Sequence, residues 1–70
     1  MRKSFDGQLA QFVRKARGEM SYARFAKKTG LAAMTLFRVE KREIHLSLDK
    51  LETMVNKLRI KLSDVFPDEF

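Results

Sequence analysis

The 70-residue sequence predicts an all-α fold, a compact bundle of five helices. Apolar residues recur at intervals of three and four along most of the chain, which is the period of helices that bury one face. No segment alternates apolar and polar residues over the length of a strand. Serines and single glycines stand at the expected helix ends, and there is no internal repeat, low-complexity tract or long linker.

Length and composition predict one domain, residues 1–70, with its core between about residues 5 and 66. A chain of this size buries only a marginal core, so dimerisation would add stability. The sequence has no cysteine and one histidine, which excludes a disulfide and disfavours a zinc site. We therefore expect neither a metal nor a cofactor.

The first two helices are predicted at about Phe5–Arg17 and Ser21–Lys28. Apolar residues lie at helical spacing in the first of them: Phe5, Leu9, Phe12, Val13 and Ala16. Ser21 is suited to cap the second helix by accepting a backbone N–H. Two lysines and then Gly30 follow, which is the order expected at a helix C-terminus, where a residue free to adopt positive φ is favoured.

The third helix is predicted at about Ala32–Lys41. Leu31, Leu36 and Val39 are expected to face inward, which leaves an outward-facing set: Ala33, Met34, Phe37, Arg38 and Lys41. Two short helices joined at a glycine, with the second exposed along one side, have the geometry of a helix-turn-helix corner.

A loop is predicted at Arg42–Leu46, after which Ser47 caps a fourth helix. The apolar stripe of that helix is Leu48, Leu51, Val55 and Leu58. A last short helix covers about Leu62–Phe66 and ends at Pro67. The predicted core draws on all helices but the last: Leu9, Val13, Phe25, Ala26, Leu31, Leu36, Val39, Leu51, Val55 and Leu58.

The formal net charge of +6 and the pI near 10.1 favour a polyanionic partner, either nucleic acid or an anionic membrane. A soluble basic surface without such a partner is the alternative. Charge is concentrated near the two-helix corner, where only Glu19 opposes a basic set: Arg14, Lys15, Arg17, Arg24, Lys27 and Lys28.

The sequence predicts a cytoplasmic protein that does not enter a membrane. No apolar stretch approaches the ~20 residues of a membrane span. The basic residues at Met1–Lys3 are not followed by the apolar segment of a signal peptide.

Five short segments carry a resemblance to a known family: Arg-Gly-x-x-Ser at 17–21, Phe-Ala-Lys-Lys-Thr-Gly-Leu at 25–31, Thr-Leu-Phe-Arg-Val-Glu at 35–40, Ser-Leu-Asp-Lys-Leu at 47–51 and Leu-Ser-Asp-Val-Phe at 62–66. In this order and spacing, from about Leu9 to Phe66, the chain resembles the Cro and phage-repressor (XRE-like) helix-turn-helix family. The resemblance implies a lambda-repressor-like domain whose second and third helices form the helix-turn-helix. It also implies a repressor-like transcriptional regulator, a homodimer on a two-fold symmetric site in double-stranded DNA.

The resemblance implies that the third helix enters the major groove. The base-reading positions of the family correspond here to Ala32, Ala33, Met34 and Arg38. Arg38 can bond O6 and N7 of guanine, with a phosphate contact or a solvated side chain as the alternatives. The other three depart from the polar residues usual in the family, although small apolar groups can contact thymine methyls. For Phe37, burial against the second helix, contact with sugar-phosphate and contact with a protein remain open.

In the family, the start of the second helix and the loop after the third contact phosphates, which implies a phosphate-contacting set here: Ser21, Tyr22, Lys41, Arg42 and His45. A buried or stacking ring is the alternative for Tyr22, and an exposed loop residue is the alternative for His45. Lys27 and Lys28 are alternatively surface charges that compensate the helix dipole.

Two structural expectations follow from the same resemblance. Glu40 is expected to pair with a basic residue of the first helix, either Arg14 or Arg17. Arg59 stands where the family prefers glycine, so left-handed strain or a different turn is expected after the fourth helix.

Related domains pair through their last helix and C-terminal residues, so the resemblance implies a dimer interface at Val65, Phe66 and Phe70. The alternative is that Phe66 caps the core of its own subunit and that Phe70 is disordered. Two other functions remain open: a protein-interaction module that uses Met34 and Phe37, and an antitoxin whose partner is a toxin protein. An enzyme is disfavoured, and no catalytic residue is assigned, because carboxylates are not clustered and no glycine-rich phosphate loop is present.

Overall fold

The computed structural model describes residues 4–70, and within that range it contains five helices and no strand. In chain order the helices are α1 (Phe5–Arg17), α2 (Tyr22–Thr29), α3 (Ala33–Glu40), α4 (Leu48–Leu58) and α5 (Leu62–Val65). The all-α prediction is therefore confirmed for the described residues. Met1–Lys3, considered above for a signal peptide, lie outside them. None of the described helices is long and apolar enough to cross a membrane.

Serine hydroxyls cap three of the five helices. Ser4, Ser21 and Ser47 each accept a hydrogen bond from the backbone N–H three residues later, at 3.1, 3.1 and 3.2 Å. Each bond satisfies one of the N–H groups that the first turn of a helix leaves unpaired. The predicted caps at Ser21 and Ser47 are confirmed, whereas the residue before α3 is Ala32, which has no capping side chain.

The turn between α2 and α3 depends on Gly30. This residue adopts the left-handed conformation with φ 78°, and its N–H donates to the carbonyl oxygen of Ala26 at 2.9 Å. A Cβ at position 30 would stand 3.1 Å from Cγ2 of Thr53 on α4. Both the backbone angle and the close approach of α4 favour glycine here, so the predicted turn is confirmed.

The core lies between α1, α2 and α3 and is closed by α4 and α5. The largest completely buried apolar side chains are Val13, Phe25, Leu36, Met54 and Val65. Four residues of the predicted core are instead half-buried and pack around it: Ala26, Leu51, Val55 and Leu58.

The buried side of α4 is centred on a residue that was not predicted to be in the core. Met54 is completely buried, whereas Leu48, the first residue of the predicted stripe, is 81% exposed. Met54 lies three residues after Leu51 and four before Leu58, so it belongs to the same stripe. Apolar spacing identified the stripe, but the position of its centre depends on where α4 meets the rest of the bundle.

The packing of α5 on α1 corrects one predicted interface residue. Val65 is completely buried in the core of its own subunit, so its side chain is not available to a second copy. The ring of Phe66 is half-buried and lies 5.4 Å from that of Phe5, centroid to centroid, which agrees with its alternative role as a cap on its own core. Phe70 remains 75% exposed.

Two arginines adopt the left-handed conformation that glycine usually occupies. Arg59 has φ 57° and ψ 46° at the end of α4, so the strained turn expected at this position is present. Arg42 has φ 60° just after α3, a position for which no such turn was predicted.

Candidate nucleic-acid interface

One side of α3 is exposed as a continuous stripe. Its residues are spaced at i, i+3, i+4 and i+7: Met34, Phe37, Arg38 and Lys41. The opposite side is buried through Leu36, Val39 and Glu40. The stripe is apolar in its N-terminal half, where Met34 is 57% and Phe37 37% exposed, and cationic in its C-terminal half.

A contact between two aromatic rings places the start of α2 beside this stripe. The ring of Tyr22 meets that of Phe37 edge-on, with 5.5 Å between centroids and 81° between ring planes. Nζ of Lys41 lies 5.7 Å from the Phe37 centroid, within the range of a cation–π interaction. Phe37 is therefore held between the two helices, which is the first of the three alternatives left open for it, while its outer side remains exposed.

An ion pair beneath the stripe joins α1 to α3. Arg17 donates from Nε to Oε2 of Glu40 at 2.6 Å and from Nη2 to Oε1 at 3.1 Å. Its Nη1 donates to the carbonyl oxygen of Met20 at 3.0 Å, and its guanidinium carbon lies 4.1 Å from the Tyr22 ring centroid. Arg17 is thus the partner expected for Glu40, and Arg14 remains at the edge with Nε 4.0 Å from Oε1.

These bonds shift the ionisation of the groups involved. The two hydrogen bonds from Arg17 lower the pKa of Glu40 below its ordinary value, and they outweigh the burial that would raise it. The same pairing raises the pKa of Arg17. Burial, and then the hydrogen bond to Glu40, raise the pKa of Tyr22. All three groups therefore keep their usual charge states near neutral pH.

The hydroxyl group of Tyr22 is hydrogen-bonded to this ion pair. Its hydroxyl donates to Oε1 of Glu40 at 3.0 Å, and a phenol has one hydrogen to donate. The predicted phosphate contact from Tyr22 would need that hydrogen, so the structure favours the alternative of a stacked, half-buried ring.

The other residue predicted to contact phosphate at the start of α2, Ser21, remains accessible. Ser21 is exposed, and its oxygen caps the helix by accepting from the N–H of Arg24. Arg24, Lys27 and Lys28 are exposed at i, i+3 and i+4 on one side of α2. Arg24 was counted in the basic region but not among the predicted contacts, although its spacing from the lysines already indicated a shared face.

The three remaining residues that were predicted to contact phosphate lie in or beside the loop after α3, and they do not all face the same surroundings. Lys41 and Arg42 are exposed, and Nη2 of Arg42 approaches the hydroxyl of Ser4 at 3.4 Å, a long hydrogen bond. His45 turns toward α1, where its Nδ1 lies 3.0 Å from Oδ2 of Asp6. A carboxylate at that distance makes the ring a poorer partner for a phosphate than the other two.

The four predicted base-reading residues differ in solvent exposure. Ala32, Met34 and Arg38 are exposed, and Ala33 is half-buried. Phe37, left open in the prediction, belongs to the same stripe.

The described part of the chain contains no group of three or more histidine, cysteine or carboxylate side chains that could hold a metal ion. No protein-family model, curated protein or solved structure matches this chain. A function is therefore inferred from the chemistry of the α2–α3 surface.

Proposed function

We propose that this protein is a double-stranded DNA-binding transcriptional regulator of the repressor type. In this proposal α2 and α3 act as a helix-turn-helix, with α3 in the major groove and the start of α2 against the backbone. The observation that carries the proposal is the contact between Tyr22 and Phe37, because it sets an exposed helix N-terminus beside the exposed stripe of a second helix.

The distribution of charge supports a polyanion at this surface. Arg24, Lys27 and Lys28 extend along the exposed side of α2, and Arg38 and Lys41 continue the exposed stripe of α3. The carboxylate of Glu40 is buried and neutralised by Arg17, so it does not repel an approaching phosphate. Cations on two helices around one corner suit the two phosphate strands that border a groove.

A homodimer completes the proposal. A single helix in the groove covers few base pairs, and dimers of such domains bind half-sites about one helical turn apart. Phe70 offers exposed apolar area that a symmetric contact would bury. The proposed location of this dimer is the cytoplasm.

Binding to a random duplex pool at several salt concentrations tests the proposal. We expect log K to fall linearly with log[salt], with a slope of roughly −0.9 per phosphate neutralised. Arg38→Ala is expected to cost about 1–3 kcal/mol on the selected site and to relax preference at one base pair. Affinity that does not change with salt would rule against DNA as the main partner, and a uniform loss on all sequences would make Arg38 a phosphate contact.

A second candidate is a protein-interaction module, and the antitoxin of a toxin protein would be one form of it. The exposed apolar area of Met34 and Phe37 favours this candidate, because protein interfaces are enriched in methionine and aromatic residues. Two results together would favour the protein-interaction module. The protein would not bind duplex DNA, and it would bind a partner protein with an affinity that falls when Met34 and Phe37 are both changed to alanine.

A further inference from the structure

The exposed surface of residues 32–37, at the N-terminus and middle of α3, carries no hydrogen-bonding side chain. Within residues 32–37, the exposed side chains are Ala32, Met34 and Phe37, and all three are apolar. Thr35 is half-buried and lies outside the stripe. A helix with this surface cannot read bases by bidentate hydrogen bonds until Arg38 is reached.

The major groove has one apolar feature that such a surface can recognise. Thymine presents a methyl group at C5 beside its O4 acceptor, whereas the edges of adenine, guanine and cytosine present hydrogen-bonding groups and no methyl group. An apolar side chain against guanine or cytosine would remove water from those groups without replacing the lost hydrogen bonds. Against thymine the same side chain buries a methyl group, which is favourable.

We propose that Met34 and Phe37 are specificity-determining residues that select thymine by contact with its 5-methyl group. This inference rests on the proposed binding of α3 in the major groove. The preferred DNA site of the protein is therefore rich in A·T pairs opposite Met34 and Phe37, next to the base pair that Arg38 reads.

The two side chains serve this contact differently. Phe37 is held by the Tyr22 ring on one side and by Lys41 on another, so its exposed edge is fixed before DNA arrives. Met34 is more exposed and has a flexible side chain that can adapt to the exact position of a methyl group. A fixed contact and an adaptable one together select methyl groups on neighbouring base pairs.

Replacement of thymine by deoxyuridine tests the proposal directly, because it removes the methyl group and leaves every hydrogen-bonding group in place. The probe is the duplex selected from a random pool, with each thymine replaced in turn. We expect affinity to fall about fourfold at the contacted positions, the factor that corresponds to ~0.8 kcal/mol per buried methyl group. Met34→Ala should lose that sensitivity at one position and Phe37→Ala at another.

Leu48→Ala is the matched control, since Leu48 is an exposed apolar residue on α4, outside the α3 stripe. This variant should keep the full deoxyuridine effect. Circular dichroism of each variant checks the fold. Salt-dependent, selective binding in which every deoxyuridine duplex matches its thymine parent would overturn the inference and leave the proposed function intact. The absence of duplex binding at any salt concentration would overturn both and would leave the apolar stripe to a protein partner.

Discussion

The hydroxyl group of Tyr22 donates a 3.0 Å hydrogen bond to Glu40, across 18 positions of sequence. Because Arg17 also binds that carboxylate, one buried side chain joins the end of α1, the start of α2 and the end of α3. The α2–α3 corner is thereby fixed relative to α1 through a single charged group, whose side chain is only 2% exposed. Changes to this group and to the turn should therefore have measurable effects on stability.

Glu40→Gln keeps the size of the side chain and removes its charge. We expect it to lower the free energy of unfolding by about 2 kcal/mol at neutral pH, because hydrogen bonds to a charged group are replaced by weaker ones. Urea unfolding measures the change. Glu52→Gln on the exposed side of α4 makes the same change in net charge and is the control.

The contribution of Glu40 should also depend on pH. Its folded pKa lies below the ordinary value of 4.5, so the unfolded chain binds its proton more readily. The stabilisation is therefore fully present above about pH 4.5 and is lost as the pH falls through the folded pKa. We expect the unfolding free energies of the wild type and of Glu40→Gln to converge in that acidic range. Parallel pH profiles would contradict the lowered pKa.

Tyr22→Phe tests the assignment of the hydroxyl to Glu40 rather than to a phosphate. We expect a loss of about 1.5 kcal/mol in unfolding free energy, since a hydrogen bond to a charged group is removed while the ring contacts remain. The affinity for duplex DNA should not change. By contrast, Arg24→Ala should reduce the salt slope of binding by about 1, as expected for the loss of one ionic phosphate contact. A lower duplex affinity of a folded Tyr22→Phe variant would restore the phosphate contact predicted from the sequence.

Glycine-to-alanine substitutions at two positions should have opposite effects. Gly30→Ala places a side chain at φ 78° and 3.1 Å from Thr53, so we expect destabilisation of about 1–2 kcal/mol or more. Gly7→Ala lies within α1, where alanine is favoured, and should stabilise by about 0.5–1 kcal/mol. Thermal or urea unfolding gives both values. A Gly30→Ala variant as stable as the wild type would show that the turn does not require Gly30.

Phe70→Ala tests the proposed homodimer. Sedimentation equilibrium of the free protein and of its complex with a selected duplex should show a dimer that the substitution weakens, because Phe70 is the most exposed aromatic residue near α5. Leu48→Ala removes a comparably exposed side chain from α4 and should not weaken it. A monomer under both conditions would refute the dimer.

Local signals in the sequence were sufficient for the helices. Serine caps, apolar spacing and the glycine after two lysines placed both ends of four helices within one residue of the observed ends, and they placed the start of α4 correctly. The buried centre of α4 at Met54 and the burial of Val65 depend on how separate helices meet. Spacing along one helix carries no such information.

The candidate site was also predictable only where local sequence determines it. The exposed stripe on α3 follows from helical periodicity alone. The commitment of Tyr22 to Glu40 and the pairing of His45 with Asp6 join residues 18 and 39 positions apart. Only the folded chain brings these groups together, so their roles could not be read from local sequence.

At the left-handed arginines 42 and 59, a substitution that increases stability also removes a positive charge. Glycine at either position would relieve a strained backbone, and each replacement would remove one positive charge. At position 42 the lost charge belongs to the loop beside the proposed DNA surface, so a more stable domain would hold DNA less firmly. Position 59 lies at the end of α4, so Arg59→Gly should raise the thermal stability of the domain without altering the α3 stripe.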